Sequence, residues 1–163
     1  LVGSEMCIRD RLEELKIGFV AFSPLANGLL TAAYHSHGEF EKPGDYRSTM
    51  PQFTEEGLKE NNEFISWMKM IAKEKNATPA QISLAWMLAK KSYIVPIPGT
   101  RKVNRLEENM KSADIKLTQD EVKSMDEMLE HMPMSQVFGG SKIQKKYGLS
   151  KNGLLFLCDF PFF

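Results

Sequence analysis

Three cations, Arg101, Lys102 and Arg105, stand within five residues of one another just after Gly99. They follow a short apolar run, Tyr93 to Ile97, and surround the expected opening of a helix near Val103. A helix N-terminus leaves N–H groups without partners and carries the positive end of the helix dipole. Cations at that place, beside a glycine that permits a tight turn and close approach to the backbone, define a candidate anion site. Further along the same helix, Arg105, Glu108 and Asn109 are three and four residues apart and share one face. The plain alternative is a solvated basic helix start, with Arg105 and Glu108 as a surface ion pair that contributes little.

The elements that must hold these residues are readable around them. Ile94, Val95 and Ile97 are β-branched, so Tyr93–Ile97 reads as a buried parallel strand, which Pro96 and Pro98 bring to an end. Phe19–Phe22 reads as an earlier strand, stopped by Ser23 and Pro24. It follows a helix ending near Lys16, with Gly18 expected near the C-cap. Between the strands, Thr54 opens a helix expected to run to about Lys75. Leu58, Ile65, Met68 and Ala72 form its apolar stripe, widened by Phe64 and Ile71. Thr78, Pro79 and Gln81 form a capping box for a helix Pro79–Lys90 that is expected to bury Ile82, Ala85, Trp86 and Ala89. Strand, helices, strand is the order that gives parallel neighbours. After Gly99, a helix is expected to turn Leu106, Met110 and Ala113 inward. A last one, capped by Thr118 and Glu121, buries Val122, Met125 and Leu129 and closes at Pro133.

Ile97-Pro-Gly-Thr-Arg101, followed by Arg105-Leu-Glu-Glu-Asn109, resembles the cofactor-binding segment of the aldo-keto reductases. Gly18-Phe-Val-Ala-Phe-Ser-Pro-Leu-Ala-Asn-Gly-Leu-Leu30 is similar to that family's strand-seven segment, and the two motifs occur in the family's order. The resemblance covers roughly residues 12–143. It implies an α/β fold, the C-terminal part of a (β/α)8 TIM barrel, with about two parallel strands, several helices and an incomplete barrel. It implies an NADP(H)-dependent oxidoreductase that reduces aldehydes or ketones to alcohols. Ser23, Pro24, Leu25 and Asn27 then lie at the C-terminal end of a barrel strand, where such enzymes place their sites. The resemblance sets this loop over the cofactor pyrophosphate. It sets Gly99, Thr100 and Arg101 around the 2′-phosphoribose, Arg105 on the 2′-phosphate, and Glu108 and Asn109 at the adenine. Many members carry Lys where this chain has Gly99, and bacterial members usually carry Arg where it has Gln52.

The family's catalytic Tyr, with its Lys, Asp and His partners, comes from earlier strands, so no residue here is assigned to that tetrad. The expectation is therefore a fragment that is inactive alone. A cofactor-binding regulatory subunit, as in the channel-associated β-subunits of this barrel, is the alternative, and a free-standing helical interaction module is a third reading.

Thr31–Phe53 shows no period, and a loop of that length is usually functional or mobile. It leaves the end of a strand where an active-site lid belongs, and Arg47 reads either as a lid residue on the cofactor or as a surface cation. His35 and His37 have no completing carboxylate or cysteine, so no metal site is expected. Trp67, Met68 and Met70 read as core packing.

The bulk properties fit this reading. The 163 residues suffice for one domain but fall short of the about 250 that a full barrel needs. Lys plus Arg number 21 and so do Asp plus Glu, which gives no sign of a nucleic-acid partner. Cys7 and Cys158 are isolated, consistent with a reducing compartment. No segment suits a membrane span or a signal peptide, so a cytoplasmic protein is expected. Residues 1–11 match nothing in the family pattern and read as a scar, with a helix start over Glu5–Leu15 as the alternative. Residues 144–163 are an unassigned tail: the apolar Leu154–Phe163 is either spurious or docks on the body.

Overall fold

The computed structural model describes residues 7–131. Pro133, the loop after it and the tail at 144–163 lie outside the described residues, as do residues 1–6. Helix α1 (Cys7–Glu14) opens the described part. It ends in a left-handed turn: the N–H of Lys16 donates to Glu13 and that of Ile17 to Leu12, with Lys16 at φ 55°. These are the bonds of a Schellman cap. The capping position is Lys16, not the expected Gly18, whose φ is not positive.

Strand β1 (Phe19–Ala21) pairs in parallel with β2 (Ile94–Pro96), as the βαβ order requires. The register is Phe19 with Ile94, Val20 with Val95, and Ala21 with Pro96. The N–H of Ile97 donates to the carbonyl of Ala21 at 3.0 Å. Alternate N–H groups of a strand point to opposite edges, so the nitrogen of Pro96 faces away from β1 and its missing donor does not weaken this ladder. Both strands are shorter than the expected Phe19–Phe22 and Tyr93–Ile97. They lack further strands to extend their ladders among the described residues.

Ala21 and Ile94 are buried on one side of this sheet. Val20 and Val95 face the other side and remain 60% and 54% exposed, and Phe22 and Ile97 continue that open row.

Helix α2 (Glu55–Glu74) starts at Thr54, whose hydroxyl accepts from the N–H of Gly57. It ends in a second Schellman cap with Asn76 at φ 50°. Two residues later Thr78 begins α3 (Pro79–Lys90) with the expected capping box. Residues Ala80 to Met87 of α3 are buried on every side, as a helix at the centre of a core must be. It packs against α2, against β2 and against the final helix α5 (Gln119–His131). Ala89, expected inside, is exposed because the core ends one turn earlier.

The expected facing of α4 (Val103–Met110) is overturned. Leu106 and Met110 are 48% and 67% exposed and Ala113 is exposed, whereas Asn109 and Ser112 are buried. The helix meets the polar N-terminus of α3 through Glu108, and that contact helps fix its inner face. No described element covers its apolar stripe.

The segment Thr31–Phe53 is a packed structure rather than an open loop. It consists of short 3-10 turns at His37–Phe40, Tyr46–Thr49 and Pro51–Phe53, preceded by one at Ala26–Thr31. Phe40 and Phe53 are fully buried, with ring centroids 4.5 Å apart, and Tyr34 closes the cluster 4.9 Å from Phe40. This segment rests directly on α2. A Cβ added at Gly57 would lie 2.1 Å from the carbonyl oxygen of Pro51. Gly57→Ala is therefore expected to push the segment off α2, at a cost of about 1–3 kcal/mol. Chemical denaturation of the variant checks this, and an unchanged midpoint would show that the contact is not held in solution.

Candidate functional site

The strands are parallel, so the loops that follow them, starting at Ser23 and at Ile97, leave the sheet at the same end. The first loop is wound tightly. Ser23, Ala26 and Asn27 have φ of 50°, 51° and 56°, and Gly28 has 102°. A side chain disfavours that region, so the shape must be imposed by contacts. One comes from α3: Ser83 Oγ donates to the carbonyl of Pro24 at 3.1 Å. The others come from the aromatic segment. Tyr46 Oη donates to Asn27 Oδ1 at 2.9 Å, Arg47 reaches the Asn27 carbonyl at 3.5 Å, and Tyr34 packs against Gly28. Asn27 Nδ2 is enclosed without a hydrogen-bond partner, as is Gln52 Oε1 in the core beneath. Pro24 is buried and Leu25 half-buried.

In the second loop, Gly99 does not adopt a left-handed φ, so the turn itself does not demand glycine. Nothing lies within 4 Å of a Cβ built there, which leaves the backbone open to approach. Thr100 Oγ1 accepts from the N–H of Lys102, setting the entry to α4, and no side chain caps that helix. Arg101, Lys102 and Arg105 are exposed. Arg105 pairs with Glu108 at 2.7 Å, the ion pair that the spacing allows. Glu108 does more than balance charge. Its Oε1 accepts from Thr78 Oγ1 at 2.7 Å, and its carbonyl accepts from Gln81 Nε2 at 2.9 Å. Asn109 is buried, and its carbonyl accepts from Ser112 Oγ.

One helix therefore fixes the first loop and the helix that follows the second. Thr78 and Gln81 at the start of α3 hold Glu108, and Ser83 holds Pro24. Those residues span six positions, about 7.5 Å of helix rise. The capping box signalled only a helix start in the sequence, because nothing local shows that the Thr78 hydroxyl also serves Glu108, thirty residues on.

Arg47 is neither an open surface cation nor free to leave. Its guanidinium lies over the rings of Tyr34 and Phe40, at 4.8 and 4.9 Å, and meets Asp45 at 2.6 Å. The Arg47 bonds hold Asp45 at about 2, against the opposing effect of desolvation. The same bonds raise Arg47 further above its already high value. His37 Nδ1 sits 2.8 Å from the Phe53 carbonyl, and no three His, Cys, Asp or Glu of the described residues gather as a metal set. No helix among the described residues is long and apolar enough to cross a membrane.

Two adjacent parallel strands, helices over one face and both loops at one end define a piece of an α/β barrel. The model of the aldo/keto reductase family matches residues 4–130, and the chain belongs to that family. It is 40% identical over 126 residues to the aldo-keto reductase str7 of Strobilurus tenacellus, covering 77% of this chain and 37% of that protein. It is 38% identical over 127 residues to the aldo-keto reductase yakc of Schizosaccharomyces pombe, which is named for NADP(+), covering 78% of this chain and 37% of that protein. A crystal structure of the thermostable aldo-keto reductase Tm1743 with the inhibitor epalrestat is 29% identical, with a TM-score of 0.48, over 73% of this chain and 32% of that one. The chain thus spans little more than a third of the length of the relatives it matches.

Proposed function

We propose that this chain is the C-terminal, cofactor-holding part of an NADP(H)-dependent oxidoreductase that reduces aldehydes or ketones to alcohols. The observation that carries this reading is the anchoring of the Ser23 loop and of α4 to the first turns of α3, with Arg101, Lys102 and Arg105 left exposed beside α4, which has no side-chain cap. That arrangement suits a dinucleotide phosphate. The open backbone at Gly99 leaves room for one.

In this reading Arg105 holds the 2′-phosphate, since its planar fork suits a phosphate better than an ammonium does. Gly99, Thr100 and Arg101 line the phosphoribose. Glu108 and Asn109 meet the adenine, and Ser23, Pro24, Leu25 and Asn27 form the loop over the pyrophosphate. The bound cofactor supplies the hydride. The proton for the developing alkoxide must come from a positioned acid. Neither tyrosine of the lid segment suits that role: Tyr34 is packed among Phe40, Phe53 and Arg47, and Tyr46 donates to Asn27. The acid and its partners are assigned to chain preceding this sequence in the whole protein.

The test is NADPH consumption by that whole protein with a reactive aldehyde. The expected result is turnover with NADPH preferred to NADH. Tight NADPH binding without turnover would instead support the regulatory-subunit reading, and binding of neither cofactor would overturn the proposal.

A further inference from the structure

The Ser23–Gly28 loop holds four residues in left-handed backbone, three of them with side chains, and such a shape persists only where its surroundings impose it. The surroundings converge on Asn27. Its side-chain oxygen accepts from Tyr46 and its carbonyl from Arg47, while the next residue, Gly28, is backed by Tyr34. Glycine is required there, because φ is 102° and a Cβ would meet Tyr34 Cε2 at 2.9 Å. Arg47 is itself fixed on three sides, by Asp45 and by the rings of Tyr34 and Phe40. Arg47 Nε and Nη2 both bond Asp45, so the arginine reaches Asn27 from a braced position. The Tyr46 bond also orients the Asn27 amide. With Oδ1 bonded to the tyrosine, Nδ2 is enclosed by the surrounding protein.

We propose that Tyr46 and Arg47 are positioning residues that act through Asn27: they clamp the Ser23–Gly28 loop in the left-handed shape that sets it over the anionic part of the cofactor. This rests on the cofactor reading given above. The clamp makes NADP(H) affinity depend on two residues that lie 19 and 20 positions beyond Asn27. Removing the tyrosine hydroxyl leaves Asn27 Oδ1 without that partner and loosens the loop. Removing the guanidinium takes away the brace on the backbone.

The experiment measures the NADPH dissociation constant of the whole protein by fluorescence titration, for wild type, Tyr46→Phe, Arg47→Lys and Arg47→Ala. Tyr46→Phe is expected to weaken binding about fivefold, the scale of one lost hydrogen bond. Its melting temperature should not change, because the tyrosine is 63% exposed. Arg47→Ala is expected to weaken binding about tenfold or more, as for a charged hydrogen bond, with Arg47→Lys between it and wild type. The KM for NADPH should rise in parallel while that for the aldehyde does not. A merely structural contribution would lower the melting temperature and leave the affinity of the folded protein alone. Tyr46→Phe decides the matter should Arg47→Ala fail to fold. Variants that bind NADPH as wild type does would overturn the clamp alone. A wild-type protein that binds no NADPH would overturn the cofactor reading, and the clamp with it.

Discussion

Purified by itself and mixed with NADPH and a reactive aldehyde, the 163-residue chain is expected to show no NADPH oxidation, while the whole protein turns over. The expectation does not depend on fine detail at the cofactor loops. The paired Val20 and Val95 stand more than half exposed on the open side of the sheet, with Phe22 and Ile97 beside them. In a closed barrel that side faces the packed interior and is covered by side chains of other strands. Among the described residues the loops at Ser23 and Gly99 have no opposite wall to set a carbonyl against the nicotinamide. Rate enhancement depends on reacting groups held at close range in fixed orientation, and half of a site does not hold them. The same surface predicts poor behaviour in solution, because apolar rows of this kind associate. The assay should therefore be accompanied by sedimentation. Turnover within about tenfold of the whole protein, a difference of only about 1.4 kcal/mol in barrier, would show that the acid and its partners are inside this chain after all.

Local chemistry made much of this fold legible. Thr78 with Gln81, and Thr118 with Glu121, marked helix starts that the structure keeps, because a capping box needs only residues three apart. The β-branched run before Pro96 and the helices between the strands gave the parallel pair. What the sequence hid depends on distant partners. Leu106 and Met110 have inward spacing, yet what faces them is decided by chain far from α4, and here Asn109 and Ser112 are buried instead. Tyr34, Phe40 and Phe53 pack as one cluster, but their spacing follows no period, so Thr31–Phe53 read as loop. The cap at Lys16 escaped notice because glycine is the usual signal, and a lysine takes the left-handed position here. At the candidate site the motif residues were visible, and their supports were not. Ser83, Thr78, Gln81, Tyr46 and Arg47 each reach a partner at least 19 residues away.

Arg105→Ala is expected to weaken NADPH binding to the whole protein by about 1.5–3 kcal/mol, roughly 10- to 150-fold, and to change NADH binding little. The asymmetry follows from geometry. Arg105 is 48% exposed at its side chain and extends from the first turns of α4, so it has room to turn toward a phosphate. Its partner Glu108 is 18% exposed and does not need the arginine to stay in place, because Thr78 Oγ1 and Gln81 Nε2 hold it from α3. Truncating Arg105 thus removes a cation and leaves a fixed carboxylate beside the proposed phosphate, where like charges repel. NADH has no 2′-phosphate and meets neither effect. Glu108→Gln separates the two contributions: it keeps a group able to accept from Thr78 while removing the charge, so in the Arg105→Ala background it should restore part of the lost NADPH affinity. Fold stability should stay nearly constant in Arg105→Ala, since an exposed pair three residues apart on a helix contributes little. Titrating both cofactors against wild type, the single variant and the double variant decides the assignment. Equal losses for NADPH and NADH, or none for either, would remove Arg105 from the phosphate site and leave the basic start of α4 as a solvated surface.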